Sequence, residues 1–156
     1  MMDMQELSDR MELSMLLDRY AGAIDRVDME LLDTVFTPDA WVDYTAFEVF
    51  GGFAGPYPVI REWLHSGLSQ SAGHQHINAN REIEIDGNRA TGRILCLNPM
   101  VRPRDGDPAD RTVGMHGLWY IDTYVRTDAG WRIASRKEER CFSFNFGDAI
   151  SVTPGD

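Results

Sequence analysis

Residues 71–92 read SAGHQHINANREIEIDGNRATG. The apolar pattern of the chain changes here. REIEI (81–85) alternates with the period of a half-buried strand, and Asp86-Gly87 is a strong hairpin turn. ATGRILCLNPMV (90–101) then returns as a second strand. His74 and His76 open the first of these strands. In an extended chain they point to one face. Three readings of that pair are open: metal ligands, a general base, or plain polar surface.

Working outward, the C-terminal side continues as strands. GMHGLWYIDTYVRT (114–127) and WRIASRKEERCFSF (131–144) flank a DAG turn, and RPRDGDPAD (102–110) reads as a polar loop. The tail, 147–156, reads as irregular. The N-terminal side reads as helices. Leu13, Leu16, Leu17, Tyr20 and Ile24 recur at helical spacing over roughly residues 6–24. Asp28 is a good N-cap for a second helix with Leu31, Leu32, Val35 and Phe36 on its apolar side, ended by Thr37-Pro38-Asp39. AWVDY (40–44) is rich in strand formers, GGFAGPYP (51–58) breaks the chain, and Pro58 can open a third helix carrying Ile60, Trp63, Leu64 and Leu68. Helices followed by long antiparallel strands predict an α+β domain with helices packed on one side of a sheet. Strands of this length bend, and a bent sheet closed by helices makes a cone with an internal pocket.

The chain has 156 residues, enough for one domain with a real core, and 1–156 is read as a single domain. Its formal net charge of −10 disfavours nucleic acid or an anionic membrane as partner. The acidic start, MMDMQELSDRMELS, lacks the pattern of a secretion signal, and no apolar run is long enough for a bilayer. Two cysteines, Cys96 and Cys141, suggest free thiols in a reducing compartment, so a cytoplasmic location is expected.

For chemistry, a His-x-His metal site would need Glu82 or His116 as further ligands, and the helical first third does not suit that architecture. No nucleophile elbow and no phosphate-binding glycine loop occurs, so no cofactor is expected. The acid–base reading is better supplied. A histidine is the commonest general base, and a carboxylate that fixes its tautomer improves it. Asp25 ends the first helix, Tyr20 lies on its buried side, and Tyr44 offers a second phenol; phenols can donate to a developing enolate. Against this stands strand parity. His76 shares its face with Asn78, Asn80, Glu82 and Glu84, opposite Ile77, Ile83 and Ile85. It would meet solvent unless a bulge switches the faces or the polar face lines the pocket.

Three segments, LLDRYAGAIDRVDMELLDTVFTPDAWVDY (16–44), GHQHINANREIEIDGNRATGRI (73–94) and YVRTDAGWRIASRK (124–137), resemble the SnoaL-like, nuclear-transport-factor-two-like superfamily over roughly residues 6–146. Within it the chain is most similar to the scytalone dehydratase-like branch, which also resembles bile-acid dehydratases and hexachlorocyclohexane dehydrochlorinases. The resemblance implies a cone-shaped α+β barrel around a cofactor-free pocket, and elimination of water or HCl by a histidine paired with an aspartate. It assigns Asp25 and His76 to that pair, with Tyr20 and Tyr44 as phenol donors and His74 as a neighbour at the rim. It loosely matches His116 to a second pocket histidine and Arg140 to a pocket arginine. Ile24 stands where scytalone dehydratases carry a further tyrosine, which argues against that substrate.

The expected function is therefore a lyase acting on a small, mostly apolar cyclic carbonyl compound. His76 would remove the α-proton and return it to the departing hydroxyl. Trp41, Phe47, Trp63 and Trp119 are expected to line a dry pocket. Two other readings remain. A ketosteroid-isomerase-like enzyme would need a carboxylate where Tyr44 stands, with Asp43 pointing to the opposite face. A non-catalytic ligand-binding or dioxygenase small-subunit-like domain would need no acid–base pair. A homodimer or homotrimer is expected in each case, because the outer face of a curved sheet must be covered.

Overall fold

The computed structural model describes residues 2–46, 52–104 and 107–145. Helix α1 (Met4–Asp25) is capped by the Asp3 carboxylate, which accepts from the Glu6 N–H, and it buries Leu13, Leu16, Leu17, Tyr20, Ala23 and Ile24. A single turn, α2 (Met29–Leu32), follows the Asp28 cap. The strands are β1 (Phe36–Asp43), β2 (Ala54–Pro56), β3 (Gly73–His74), β4 (Ile77–Asp86), β5 (Arg89–Arg104), β6 (Asp107–Thr127) and β7 (Gly130–Asn145), with α3 (Tyr57–Leu68) between β2 and β3. They form one sheet in the order β2-β1-β7-β6-β5-β3, with β4 also on β5. All pairings are antiparallel except β1 on β7. This strongly curled, mostly antiparallel sheet with helices on its concave side is the α+β cone expected. No helix among the described residues is long and apolar enough to cross a membrane.

Two expectations are corrected. The second helix stops at Leu32, and β1 already begins at Phe36. Val35 and Phe36 are buried as expected but in extended chain, and Pro38, which lacks an N–H, falls where the β1–β7 register slips between Phe36 and Trp41. The segment 102–110 is not a long loop, since β5 runs to Arg104 and β6 starts at Asp107.

The concave side holds the core. Residues Ala90, Ile94 and Cys96 of β5, Leu118, Tyr120 and Tyr124 of β6, and Trp131 and Ile133 of β7 are buried there against α1. Asp9 fastens α1 to the β6–β7 hairpin: its carboxylate accepts from Arg126 Nη2 at 2.6 Å and Trp131 Nε1 at 3.2 Å. Deeper in, the Asp122 carboxylate on β6 takes Arg136 of β7 in a two-point pair at 2.8 and 2.6 Å, and Tyr124 donates to it at 2.8 Å. Neither charged side chain reaches solvent.

Candidate active site

The strand-parity objection to His76 is resolved by a bulge. The β4–β5 register slips between Ala79 and Arg81, and Asn80 adopts φ +42°. Before the bulge Asn78 opposes the buried Cys96; after it Ile83 and Ile85 oppose Gly92 and Ala90 on the same inner face. The inward set therefore changes parity, from even to odd. Asn78 donates to the Leu17 carbonyl of α1 at 3.2 Å, while Ile77 is turned outward. His76 shares the inward set, and its side chain is only 10% exposed.

The edge strand is also interrupted at this point. The register of β3 and β4 on β5 is continuous, so Gln75 falls opposite Pro99 and His76 opposite Asn98. Pro99 has no N–H to give the ladder. Gln75 donates its N–H to the Pro99 carbonyl at 3.1 Å, and Asn98 Nδ2 donates to the Gln75 carbonyl at 2.7 Å. The His76 N–H turns to α1 instead and donates to Asp25 Oδ2 at 3.1 Å.

Asp25 is the last residue of α1. The chain reverses just beyond it through Val27 at φ +55°, with the Asp28 N–H bonded to the Ala23 carbonyl at 2.8 Å. This end of the helix is presented to His76, whose Nδ1 lies 2.7 Å from Asp25 Oδ1. Burial raises the Asp25 carboxyl, but the hydrogen bonds and charge of His76 outweigh that, and it stays below its ordinary value. An ionised carboxylate can only accept, so Nδ1 carries the proton and Nε2 keeps its lone pair. Burial lowers the His76 value and Asp25 opposes this only in part, leaving a neutral imidazole. His74 takes the other half of the motif. Its Nε2 sits 3.0 Å from the Ile24 carbonyl, so it caps the end of the same helix and packs edge-on against His76.

A cavity of about 500 Å³ opens in front of the dyad, the size of a small-molecule site. His76, Tyr20, Tyr44, Asn98, His116 and Glu138 supply polar groups along with Gln70 and Ser71, and Ile24, Trp63, Leu64, Leu68, Met100 and Leu118 much of its apolar wall. The Tyr20 and Tyr44 hydroxyls are 3.0 Å apart. Burial raises both phenols, so they are neutral donors; when one donates to the other, the second still has an O–H for a ligand. Behind them the Arg136 guanidinium lies 4.1 Å from the Tyr20 ring centroid and 3.9 Å from that of Tyr120. Its positive charge favours any negative charge that develops on an oxygen held by those phenols.

Of the residues proposed from sequence, Asp25, His76, Tyr20, Tyr44, His116 and Trp63 come together at this cavity. His116 is buried, with Nδ1 3.0 Å from Ser143 Oγ. Three expectations are corrected. Trp41 is 56% exposed because it alternates with the inward Ala40 and Val42. Trp119 lies on the convex face under the Arg93 guanidinium, out of phase with the inward Leu118 and Tyr120. Arg140 is exposed and does not reach the cavity. Phe47 lies outside the described residues. Asp43 accepts from the Thr45 N–H and hydroxyl and does not line the cavity.

Arg136 and Glu138 escaped the sequence reading for one reason. The β6–β7 register slips between Thr123 and Tyr124, so Ile133 opposes Tyr124 while Ser135 opposes Thr123. Counting by twos from Trp131 and Ile133 would send Ser135, Lys137 and Glu139 inward. The slip sends Arg136 and Glu138 inward instead.

A SnoaL-like domain model matches residues 5–137, and the chain belongs to that family. It is 43% identical over 142 residues to the Mycobacterium tuberculosis H37Rv protein Rv2910c, covering 91% of this chain and 92% of that one. A Novosphingobium aromaticivorans protein provisionally assigned as a scytalone dehydratase has TM-score 0.76 at 20% identity over 96% of this chain and 95% of its own. The type-3 hexachlorocyclohexane dehydrochlorinase LinA of Novosphingobium barchaimii has TM-score 0.79 at 15% identity over 98% of this chain and all of its own. At these identities the two structures bear on the fold.

Proposed function

We propose that this SnoaL-like protein is a lyase. In this reading it eliminates water from a small, mostly apolar cyclic carbonyl compound with a hydroxyl β to the carbonyl, using its own side chains. The observation that carries this is the Asp25–His76 pair, with a base nitrogen directed to a cavity that also holds two neutral, hydrogen-bonded phenols. Lyases among proteins of the same fold are consistent with it.

The substrate carbonyl oxygen accepts from the Tyr20–Tyr44 pair, which lowers the cost of enolate formation. His76 Nε2 takes the proton α to the carbonyl, and the Asp25 carboxylate stabilises the imidazolium that results. The carbon–oxygen bond β to the carbonyl then breaks, a proton from an acid of the enzyme reaches the departing oxygen, and the conjugated enone and water form. The isomerase alternative finds less support, because a phenol rather than a carboxylate faces the cavity at position 44. A pure scaffold has no use for a buried acid–base pair. We further propose a cytoplasmic protein, consistent with two free thiols, and a homodimer or homotrimer that covers the exposed Trp41, Phe142 and Phe144.

The test is a panel of cyclic β-hydroxyketones followed by enone absorbance, with wild type and His76→Ala compared. The variant is expected to lose at least about 10³-fold in kcat/KM while its Tm moves by only a few degrees. Turnover retained by His76→Ala rejects the assignment of the base.

A further inference from the structure

Glu138 is a charged-type side chain in the cavity wall that the scheme above leaves idle. It stands on β7 opposite Tyr120 of β6. Among the described residues no group hydrogen-bonds or ion-pairs with its carboxyl. The cation beside it, Arg136, is already held at two points by Asp122. The groups that act on Glu138 are therefore Arg136 on its own strand and Asp43 on β1, with the phenols of Tyr20, Tyr44 and Tyr120 and the Cys96 thiol feeling its charge in turn. Burial dominates and pushes the carboxyl up to about 8; Arg136 opposes this and Asp43 adds to it. At neutral pH the cavity thus contains a carboxylic acid whose O–H has no acceptor in the described protein.

The position suits a second partner for the substrate. His76 falls in the row Asn98–His116–Ser143 and Glu138 in the row Ile94–Tyr120, so the two are separated across β5 and β6 and by four residues of β6 along the strands, and they face each other only across the concave side, where both line the same cavity. That cavity, about 500 Å³, has room for a small ring.

We infer that Glu138 is the acid that protonates the leaving oxygen, so that proton removal and leaving-group departure are served by two residues facing the same substrate. The inference rests on the elimination reading above. His76 Nε2 takes the α-proton, and the electrons of that C–H bond become the new C=C bond. The Cβ–O bond breaks with its electron pair on oxygen, and the Glu138 proton completes a water molecule. The enzyme is left with an imidazolium and a carboxylate. The imidazolium proton passes to Glu138 through the released water, which restores both. His76 then need not return its own proton to the leaving group.

Two measurements test this. The first needs no substrate: infrared difference spectra across a pH titration of wild type and Glu138→Gln. A protonated carboxyl that ionises near pH 8 and is missing in the variant is expected; its absence from wild type overturns the inference. The second compares 3-hydroxycyclohexanone, whose leaving group needs a proton, with 3-(4-nitrophenoxy)cyclohexanone, whose leaving group does not. Glu138→Gln is expected to lose about 10²–10⁴-fold in kcat/KM on the first and only a few-fold on the second, with the fall of wild-type rate above pH 8 abolished. His76→Ala is expected to lose both reactions. Equal losses on the two probes in Glu138→Gln overturn the role of Glu138 while leaving the lyase intact. Failure of wild type to accelerate elimination from either probe overturns the lyase reading, and the inference with it.

Discussion

Asp25→Asn is nearly isosteric, yet it removes one of two hydrogen-bond acceptances that hold His76. In the wild type Oδ1 accepts from Nδ1–H at 2.7 Å and Oδ2 from the His76 N–H at 3.1 Å. An amide has one acceptor oxygen and one donor nitrogen. If the oxygen keeps the backbone N–H, the NH₂ meets Nδ1, which must then be unprotonated. The proton moves to Nε2, and the lone pair that faces the cavity is gone. If the oxygen keeps Nδ1–H, the NH₂ confronts the His76 N–H, which then has no acceptor. That N–H points away from β5, and Asp25 is its acceptor in the wild type, so the second arrangement costs about 1–3 kcal/mol. The first arrangement wins by that margin, and the imidazole is held mostly in the wrong tautomer. A mis-set tautomer in a histidine–aspartate pair costs up to about 10⁴-fold in turnover, and a loss of about 10³–10⁴-fold is expected here. The pH profile gives a second sign. Asp25 raises the His76 value against the larger lowering by burial. Removing the carboxylate therefore lowers it further, and the acid limb of kcat/KM, which rises as His76 becomes neutral, moves to lower pH. The tautomer can be read directly from the ¹⁵N shifts of labelled histidine. A variant whose His76 Nε2 remains unprotonated, with activity within tenfold of wild type, refutes the reasoning.

Asp122→Ala strands a buried Arg136 and also deprives the Tyr124 hydroxyl of its acceptor. The expected loss is about 3–5 kcal/mol, read as a midpoint shift of roughly 1–3 M in urea, and pairing Asp122→Leu with Arg136→Met should recover much of it. A loss below about 1 kcal/mol for the single variant contradicts the buried-pair account. At the bulge, Asn80 occupies left-handed backbone, so Asn80→Gly should be close to neutral while Asn80→Val costs about 1–2 kcal/mol. Equal stabilities of the two variants in denaturant melts would show that the bulge is not held in that conformation.

The helical start, the strand-rich remainder and the sheet-on-helix class are legible from local patterns. Tyr20 sits in the stripe that α1 buries, the β4–β5 hairpin falls at Asp86-Gly87 with Gly87 and Asn88 as its turn residues, and aspartates cap α1 and α2. Resemblance, not spacing, separated His76 from His74. Their alternation says only that they share a face.

What the sequence by itself determined is which segments are helical or extended and which residue types are at hand. Where each strand slips was left to tertiary structure, because a bulge is decided by the partner strand and by what the two faces must bury. One slip at Asn80 makes the inward set even at Asn78 and odd at Ile83, which reconciles an inward His76 with a buried isoleucine face. A second, between Ile133 and Ser135, replaces Lys137 and Glu139 by Arg136 and Glu138 on the cavity side. The side-chain period of a strand is two, so a single extra residue reverses every assignment beyond it. Counting by twos from Ile133 therefore passes over Glu138; Arg140, matched by resemblance alone, is exposed and does not line the cavity. The distance from Asp25 to His76, 51 residues apart in the chain, was likewise set by the fold: by where α1 ends and by the edge position that turns the His76 N–H away from β5.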